Sequence, residues 1–159
     1  MIAILMICTA NLCRSPMAEA ILKKQTSQRV DADQWHIESA GIWAQDGKPP
    51  AFLSKYVMEM MGMDISGKLS QSVNRKLLQN FNLVLTMEQE HKDWLIEQYG
   101  EIAERTYMLS EMVGEVADIP DPIGGELFEY HMVANLLQRI IEDGFDRIYQ
   151  LAKCQQHEV

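Results

Sequence analysis

Apolar residues run without interruption through IAILMI near the start of the chain, and the run ends at Cys8. A continuous apolar stretch of this length is typical of a central parallel strand that is buried on both faces. NLVLTM, residues 82–87, has the same character, and weaker strands are predicted at WHIESAG, residues 35–41, and RTYML, residues 105–109. The hydrophobic pattern therefore predicts four strands.

Segments with helical spacing of apolar residues lie between and after these strands. The first helix is predicted from Ser15 onward, because Ser15 suits an N-cap and Pro16 suits the first helical position. Further helices are predicted at residues 52–61, 73–78, 88–99 and, as one long C-terminal helix, 136–148. Strands that alternate with helices indicate an α/β fold with a mainly parallel four-stranded sheet flanked by helices. Since no repeat or linker interrupts the chain, residues 1–159 are interpreted as a single domain.

Charge and cysteine content narrow the classes of protein. The 14 Lys and Arg residues against 23 Asp and Glu give a net charge of −9, which argues against a nucleic-acid partner but permits a local positive site. Three cysteines make no disulfide framework and favour a reducing, cytoplasmic location. The N-terminal apolar run is too short to span a bilayer and lacks the positive flank of a signal peptide, so no membrane partner is expected.

The segment CTANLCRSP, residues 8–16, joins the first strand to the first helix. In parallel α/β sheets, ligands bind beyond the carboxyl ends of the strands, which is where this loop falls. Five residues separate Cys8 from Arg14, enough for the backbone to curl into a ring of N–H groups beside a helix N-terminus. Such a ring suits a phosphate dianion. The sequence therefore predicts a phosphate-binding loop after the first strand.

The residue types in this loop point to nucleophilic displacement at phosphorus. The planar guanidinium of Arg14 can hold two phosphoryl oxygens at once, and the positive field favours the nucleophilic thiolate of Cys8. Ser15 is expected to donate a hydrogen bond to the sulfur, and Asn11 to tie the loop internally. The residues predicted to surround the substrate phosphate are Thr9, Ala10, Asn11, Leu12, Cys13 and Ser15. A non-catalytic phosphate-binding module is the alternative from a different class.

The loop resembles the signature C-x-G-N-x-C-R-S-P of the low-molecular-weight protein tyrosine phosphatases, with Ala10 in place of the usual glycine. The resemblance continues through ESAG, LVLTM and DIPDP, residues 38–41, 83–87 and 118–122, and covers nearly the whole chain. It implies a protein tyrosine phosphatase that acts on phosphorylated proteins through a phosphocysteine intermediate, with no metal or other cofactor. Because alanine carries a Cβ, the backbone at Ala10 is expected to stay in a conformation that alanine tolerates.

The resemblance also implies roles for residues outside the loop. The aspartate of the Asp-Pro pair, Asp121, is expected to protonate the leaving oxygen and then to activate water, with Asp118 as the reserve candidate. Ser39 resembles the family serine that supports the loop asparagine, Asn11. Lys68 stands where the family often has a histidine, so this part of the supporting network is expected to differ.

Cys13 has two interpretations. On its own it reads as a small buried residue that fills space behind the loop. In the family that the chain resembles, the neighbouring cysteine can form a disulfide with the nucleophile, which predicts reversible oxidation through a Cys8–Cys13 disulfide. Cys154 lies in the polar tail and is interpreted as a bystander. The histidines show no spacing typical of metal ligands.

Three chemistries remain open for related loops: hydrolysis of phosphotyrosine, hydrolysis of phosphoarginine and reduction of arsenate. Arsenate reductases of this fold use further downstream cysteines, whereas only Cys154 remains here. Leu12 and Trp43 are predicted to form apolar walls for a flat ring, which favours phosphotyrosine. DPIGG, residues 121–125, resembles the arginine phosphatases, but those place threonine at the position of Leu12. We therefore predict a protein tyrosine phosphatase, with a protein arginine phosphatase as the alternative.

Overall fold

A computed structural model describes residues 1–155 of the chain. Its strands form one parallel sheet in the order β2-β1-β3-β4. Their bounds are β1 (Ile2–Cys8), β2 (Trp35–Gly41), β3 (Leu83–Thr86) and β4 (Thr106–Met108). The predicted α/β fold with a parallel four-stranded sheet is confirmed.

Helices cover both faces of this sheet. Their bounds are α1 (Arg14–Thr26), α2 (Phe52–Met60), α3 (Arg75–Leu78), α4 (Gln89–Gln98), α5 (Leu127–Asp143) and α6 (Phe145–Cys154). Helices α1, α2, α5 and α6 contribute to one apolar cluster, and α3 and α4 to the other. No helix within residues 1–155 is both long enough and apolar enough to cross a membrane.

Strand β1 shows why its sequence is apolar without interruption. Ile4 and Met6 belong to the cluster under α1 and α5, while Leu5 and Ile7 belong to the cluster on the opposite face. Since successive side chains of a strand point to opposite faces, a strand covered on both sides needs apolar residues at every position. All seven residues of β1 are buried. The strand is thereby fixed at the centre of the sheet, and its last residue, Cys8, is held at the carboxyl edge.

Two predicted elements differ in the structure. The predicted single C-terminal helix is two helices, because α5 ends at Asp143 and α6 begins at Phe145. A Cβ on the intervening Gly144 would lie 2.7 Å from the Cβ of Met112, so tertiary packing at this point requires glycine. The prediction that Ser15 caps the first helix is wrong: Cys13 holds the N-cap position, and α1 begins at Arg14.

The loop after β1 packs closely against the end of β2. The backbone N–H of Trp43 donates to the Thr9 carbonyl oxygen over 2.9 Å, and that of Ile42 donates to the Cys8 carbonyl oxygen over 3.0 Å. A Cβ on Gly41 would lie only 2.4 Å from the Thr9 carbonyl oxygen. The glycine of the ESAG segment therefore allows the two chain segments to approach each other at the edge of the sheet.

Candidate active site

The backbone N–H groups of residues 9–13 donate to no acceptor within the described part of the chain. Backbone donors are nearly always paired in folded proteins, so a run of unpaired N–H groups indicates a place for an external acceptor. Asn11 has a φ of 58° and is the one described non-glycine residue with positive φ. Ala10 keeps an ordinary negative φ, as its side chain requires. Beside the N-terminus of α1, these donors form an anion-binding concavity.

Ser15 contacts the sulfur of Cys8. Its Oγ lies 2.9 Å from the Cys8 Sγ and accepts a hydrogen bond of 2.8 Å from the Asn11 Nδ2. Because Asn11 supplies the hydrogen in that bond, the hydroxyl hydrogen of Ser15 is left to donate to the sulfur. The Asn11 Oδ1 accepts from the Gln71 backbone N–H over 3.0 Å, which fixes the orientation of the amide. The predicted bond between Ser15 and Cys8 is therefore present, with Asn11 setting its direction.

The same amide continues the network to a buried carboxylate. Asn11 Nδ2 also donates to the Ser39 Oγ over 2.9 Å, and the Ser39 hydroxyl donates to the Glu19 Oε2 over 2.7 Å. Glu19 is 5% exposed, and a buried carboxylate requires partners. Lys23 and Lys68 supply them: their Nζ atoms lie 2.9 Å from Oε1 and 3.4 Å from Oε2 of Glu19.

Lys68 also donates from Nζ to the Ser39 carbonyl oxygen over 3.1 Å. Lys68 thus contacts both residues of the Ser39–Glu19 pair, through the backbone of Ser39 and the carboxylate of Glu19. The ammonium group of Lys68 places a positive charge 3.4 Å from the Glu19 Oε2. The supporting network is therefore complete in this chain, although its composition differs at this position.

Arg14 is buried to 2% exposure at the start of α1. Its Nη1 donates to the Glu88 Oε2 and to the Ile119 carbonyl oxygen, both over 2.8 Å. These bonds use both hydrogens of Nη1, whereas Nε has no acceptor among the described residues. One hydrogen of Nη2 is directed at the Thr9 Oγ1 over 3.4 Å. The Nε hydrogen and the second Nη2 hydrogen are left for two oxygens of an anion.

Asp121 and Asp118 face different neighbours. The Asp121 Oδ2 lies 3.4 Å from the Arg14 Nη2, and its side chain is 40% exposed. The Asp118 Oδ1 accepts a hydrogen bond of 2.9 Å from the Gln89 backbone N–H, at the start of α4. Asp121 therefore stands at the anion site with access to solvent, while Asp118 is engaged with a helix terminus. Their loop is attached to β3 by the hydrogen bond from the Ile119 N–H to the Met87 carbonyl oxygen, 2.8 Å.

A narrow cleft opens above the nucleophile. It is lined by Cys8, Ala10, Leu12, Cys13, Arg14, Asp121 and Ile123. Leu12 and Ile123 supply apolar side chains to this cleft. Trp43 is 63% exposed and is not among the lining residues, so the structure places it at the surface near Thr9 rather than in the cleft wall.

Glu88 and His91 also belong to the site, although they are not among the site residues predicted from the sequence. Glu88 holds Arg14, and His91, 2% exposed, lies with Nε2 2.8 Å from the Thr9 Oγ1. Both residues follow β3, whose carboxyl end lies beside that of β1. The signal that marks them is a Glu-x-x-His spacing directly after the second strongly apolar strand.

Cys13 lies behind the loop in a buried position, with its Sγ 3.7 Å from the Tyr130 hydroxyl oxygen. Burial raises the pKa of the Cys13 thiol, and burial likewise raises the pKa of the Tyr130 hydroxyl. Both Cys8 and Cys13 are free thiols in the structure. Burial therefore favours the thiol form of Cys13 over the thiolate.

A cavity larger than the narrow cleft lies elsewhere in the protein and does not coincide with the nucleophile. It has a volume of about 790 Å³ and is lined by residues including Glu19, Lys68 and Gln71, behind the loop. It contains none of Cys8, Arg14 and Asp121. Among residues 1–155, no group of three or more His, Cys, Asp and Glu side chains is arranged to hold a metal ion. Cys8, Arg14 and Asp121 come together at the narrow cleft instead.

Comparisons with known proteins agree with this geometry. A sequence model of the family described as low molecular weight phosphotyrosine protein phosphatase matches residues 3–154. The chain is 38% identical to the low molecular weight protein-tyrosine-phosphatase PtpB of Staphylococcus haemolyticus, over 85% of this chain and 91% of that protein. It is 32% identical to a protein-arginine-phosphatase of Geobacillus stearothermophilus, over 87% and 90%.

A solved structure of a similar protein has the same fold. The low molecular weight protein tyrosine phosphatase from T. tengcongensis superimposes with a TM-score of 0.85 at 35% identity, over 91% of this chain and 98% of that one. The family predicted from the loop and the predicted class, a phosphoric monoester hydrolase, are both confirmed. The chain belongs to the low molecular weight phosphotyrosine protein phosphatase family.

Proposed function

We propose that the protein hydrolyses phosphotyrosine in phosphorylated proteins through a phosphocysteine intermediate on Cys8. The observation that carries this proposal is the set of unpaired N–H groups of residues 9–13, bracketed by Cys8 and Arg14. The donors provide an anion site directly beside a thiol that accepts a hydrogen bond from Ser15. Asp121, 3.4 Å from the Arg14 guanidinium, supplies an acid at the open side of the cleft.

In the first step, the Cys8 thiolate attacks phosphorus and the bond from phosphorus to the ester oxygen breaks. Asp121, in its protonated form, gives its proton to the leaving oxygen, which departs as a neutral hydroxyl. The loop N–H groups and Arg14 stabilise the charge on the equatorial oxygens. This step transfers the phosphoryl group to sulfur and leaves Asp121 as a carboxylate.

In the second step, the Asp121 carboxylate accepts a proton from a water molecule whose oxygen attacks phosphorus. The bond from phosphorus to sulfur breaks, and the electron pair returns to Cys8 as a thiolate. The hydroxyl hydrogen of Ser15, directed by Asn11, stabilises this leaving sulfur. Asp121 ends protonated, so the site is ready for the next substrate once phosphate leaves.

The choice of phosphotyrosine is supported by the cleft walls. Leu12 and Ile123 line the cleft on the approach to Cys8, and apolar walls suit an aromatic ring better than a charged guanidinium. Exposed Trp43 remains a predicted outer contact for the ring or for the polypeptide that carries it. The 38% identity to a protein named as a tyrosine phosphatase supports the same choice.

A protein arginine phosphatase is the second candidate. The 32% identity to the Geobacillus protein-arginine-phosphatase favours it, as does Ile123 after the Asp-Pro pair, where many tyrosine phosphatases have an aromatic residue. Arsenate reduction is disfavoured because Cys154, the remaining thiol, is exposed at the end of α6. We also propose a cytoplasmic location and no nucleic-acid partner, supported by the free thiols and the net charge of −9.

The decisive experiment compares initial rates on phosphotyrosine and phosphoarginine peptides that share one flanking sequence. We expect a higher kcat/KM for the phosphotyrosine peptide, no turnover by Cys8→Ser, and inhibition by vanadate without added metal. Leu12→Thr is expected to move the ratio towards phosphoarginine. A preference of the wild type for phosphoarginine would establish the second candidate instead. Phosphate binding without turnover of either peptide would leave only a binding module.

A further inference from the structure

Thr9 is the first residue of the loop after Cys8, and its hydroxyl contacts two side chains of the site, His91 and Arg14. Its Oγ1 lies 2.8 Å from the His91 Nε2 and 3.4 Å from the Arg14 Nη2. Arg14 only donates hydrogen bonds, so Oγ1 is the acceptor in that contact. The direction of the contact with His91 depends on which ring nitrogen carries the hydrogen.

The neighbouring backbone determines the tautomer of His91. The Glu88 N–H donates to the His91 Nδ1 over 3.1 Å, so Nδ1 is an acceptor and the hydrogen of the neutral ring is on Nε2. Burial and the nearby Arg14 cation lower the pKa of His91 to about 4, so the ring is neutral at physiological pH. The Nε2–H therefore donates to Thr9, and it also lies 3.2 Å from the Glu88 Oε2.

Thr9 Oγ1 thus accepts hydrogen bonds from two donors, and its own hydrogen has no acceptor within the described residues. A hydroxyl with both acceptor positions occupied has one remaining function, which is to donate. Thr9 directly follows the nucleophile Cys8, and its own backbone N–H is the first of the unpaired N–H groups of the loop. Thr9 is not one of the residues that line the narrow cleft, but its Oγ1 lies 3.4 Å from the Arg14 Nη2. The free hydrogen is therefore available to an anion that the Arg14 guanidinium binds.

We propose that the Thr9 side chain is a phosphoryl-binding donor, and that His91 is the positioning residue that directs the Thr9 hydroxyl towards the anion. The inference rests on the proposed function of the loop. It adds one side-chain donor to the backbone donors. Glu88 contacts both Arg14 and His91, so one carboxylate holds the guanidinium and the imidazole in fixed positions relative to each other.

The first experiment measures the inhibition constants of inorganic phosphate and vanadate with p-nitrophenyl phosphate as substrate. Because a hydrogen bond to a charged group is strong, Thr9→Val is expected to weaken inhibition by phosphate by roughly tenfold to a hundredfold. Thr9→Ser is expected to recover most of that loss. The matched control is Thr106→Val, since Thr106 bonds the Ile102 carbonyl oxygen in a distant part of the fold and its loss is expected to leave phosphate inhibition unchanged.

The second experiment separates the two functions of the imidazole. His91→Gln places an amide N–H near the position of Nε2 and retains a donor to Thr9, whereas His91→Asn retains only an acceptor for the Glu88 N–H. Phosphate inhibition is expected to weaken more in His91→Asn than in His91→Gln. In a Thr9→Val background the His91→Asn effect is expected to disappear, because His91 acts through the Thr9 hydroxyl.

Three results would overturn the inference: unchanged phosphate inhibition in Thr9→Val, equal losses in His91→Gln and His91→Asn, or additive losses in the double variant. Thermal unfolding of each variant identifies any that fail to fold, and Thr9→Ala then replaces Thr9→Val. Failure of the proposed function would look different, since the wild type itself would neither turn over p-nitrophenyl phosphate nor be inhibited by vanadate.

Discussion

The Ser39 hydroxyl donates to the Glu19 Oε2 over 2.7 Å, and this bond connects the phosphate-binding loop to the body of helix α1. Since Ser39 also accepts from Asn11, and Asn11 donates to Ser15, the hydrogens between Glu19 and Cys8 have one consistent arrangement. In this arrangement the hydroxyl hydrogen of Ser15 is directed at the Cys8 sulfur. The geometry of the nucleophile therefore depends on a carboxylate that never contacts it.

Ser39→Ala tests this dependence. Loss of the buried hydroxyl leaves the Glu19 carboxylate and the Asn11 amide each short of a partner, so the free energy of unfolding is expected to fall by about 1–3 kcal/mol. The kcat for p-nitrophenyl phosphate is expected to fall as well, because Asn11 loses one anchor. Chemical denaturation and initial rates measure the two effects. Ser27→Ala, at an exposed serine that bonds only the Lys24 carbonyl oxygen, is the matched control and is expected to change neither.

The two lysines that contact Glu19 are expected to differ in importance. Lys68 has 16% side-chain exposure and bonds Ser39 as well, whereas Lys23 is 55% exposed. Lys68→Met is expected to lower the free energy of unfolding by about 1–3 kcal/mol, because a buried charge loses a partner. Lys23→Met is expected to cost about 0–1 kcal/mol, as exposed pairs do. Equal costs in urea denaturation would contradict the distinction.

Asp121→Asn is expected to lower kcat by about 10²–10⁴-fold, because the leaving oxygen loses its proton donor. Inhibition by inorganic phosphate is expected to persist, since the loop N–H groups and Arg14 are unchanged. Asp118→Asn is the matched control and is expected to reduce kcat far less, because Asp118 is engaged with the Gln89 N–H. The assay is p-nitrophenyl phosphate turnover across pH. Near-normal turnover by Asp121→Asn would assign the acid to Asp118 or another group.

Cys13→Ala tests whether the second thiol protects the first. The Cys8 thiolate attacks one oxygen of hydrogen peroxide, the O–O bond breaks, and the products are a Cys8 sulfenic acid and hydroxide. The Cys13 sulfur then attacks the Cys8 sulfur and the S–O bond breaks. The departing hydroxide takes the Cys13 thiol proton, which gives a disulfide and water. We expect wild-type activity to return after dithiothreitol, and the activity of Cys13→Ala to stay low because the sulfenic acid oxidises further. Full recovery by Cys13→Ala would exclude a protective role.

His91 makes stability depend on pH with a definite sign. Its pKa is lowered from 6.5 to about 4 in the folded protein, so between these values the unfolded chain binds a proton that the folded protein does not. This contribution to the free energy of unfolding is therefore lost progressively as the pH falls from 6.5 towards 4. His91→Gln is expected to flatten the decline over that interval. Urea denaturation at several pH values measures the free energy of unfolding of the wild type and of His91→Gln. An equal decline in both proteins between pH 6.5 and pH 4 would contradict the role of His91.

Much of this site is predictable from the sequence because its central parts are local in the chain. Cys8, Asn11, Ser15 and Arg14 fall within one short loop, and the flanking apolar strand and helix fix where that loop lies. The bond from Ser15 to Cys8 also follows from residue chemistry. The position of the helix N-cap does not follow from residue chemistry. Helix α1 begins at Arg14, one residue before Ser15, and the Ser15 hydroxyl contacts the Cys8 sulfur and the Asn11 amide instead.

The parts that the sequence does not reveal depend on contacts between distant segments. Glu88 and His91 reach the loop only because β3 pairs with β1 in the sheet. Lys68 joins the network only because the chain after α2 returns to β2. The requirement for glycine at the junction of α5 and α6 comes from Met112, which packs against Gly144 from a distant part of the sequence. Periodicity describes how one segment buries its own side chains and carries no information about such approaches.

Different hydrogen bonds attach the phosphate-binding loop and the segment that carries Asp121 to the rest of the fold. Asn11, Ser39 and Glu19 anchor the loop through β2 and α1, while the segment with Asp121 is attached through the Ile119 bonds to Met87 and Arg14. Substitution of the side chains of Leu12, Ile123 and the residues after Asp121 can therefore change the walls of the narrow cleft while the anion-binding N–H groups of residues 9–13 stay in place. The side chains that border the entrance of the cleft are therefore separate from the hydrogen bonds that hold the anion site in place.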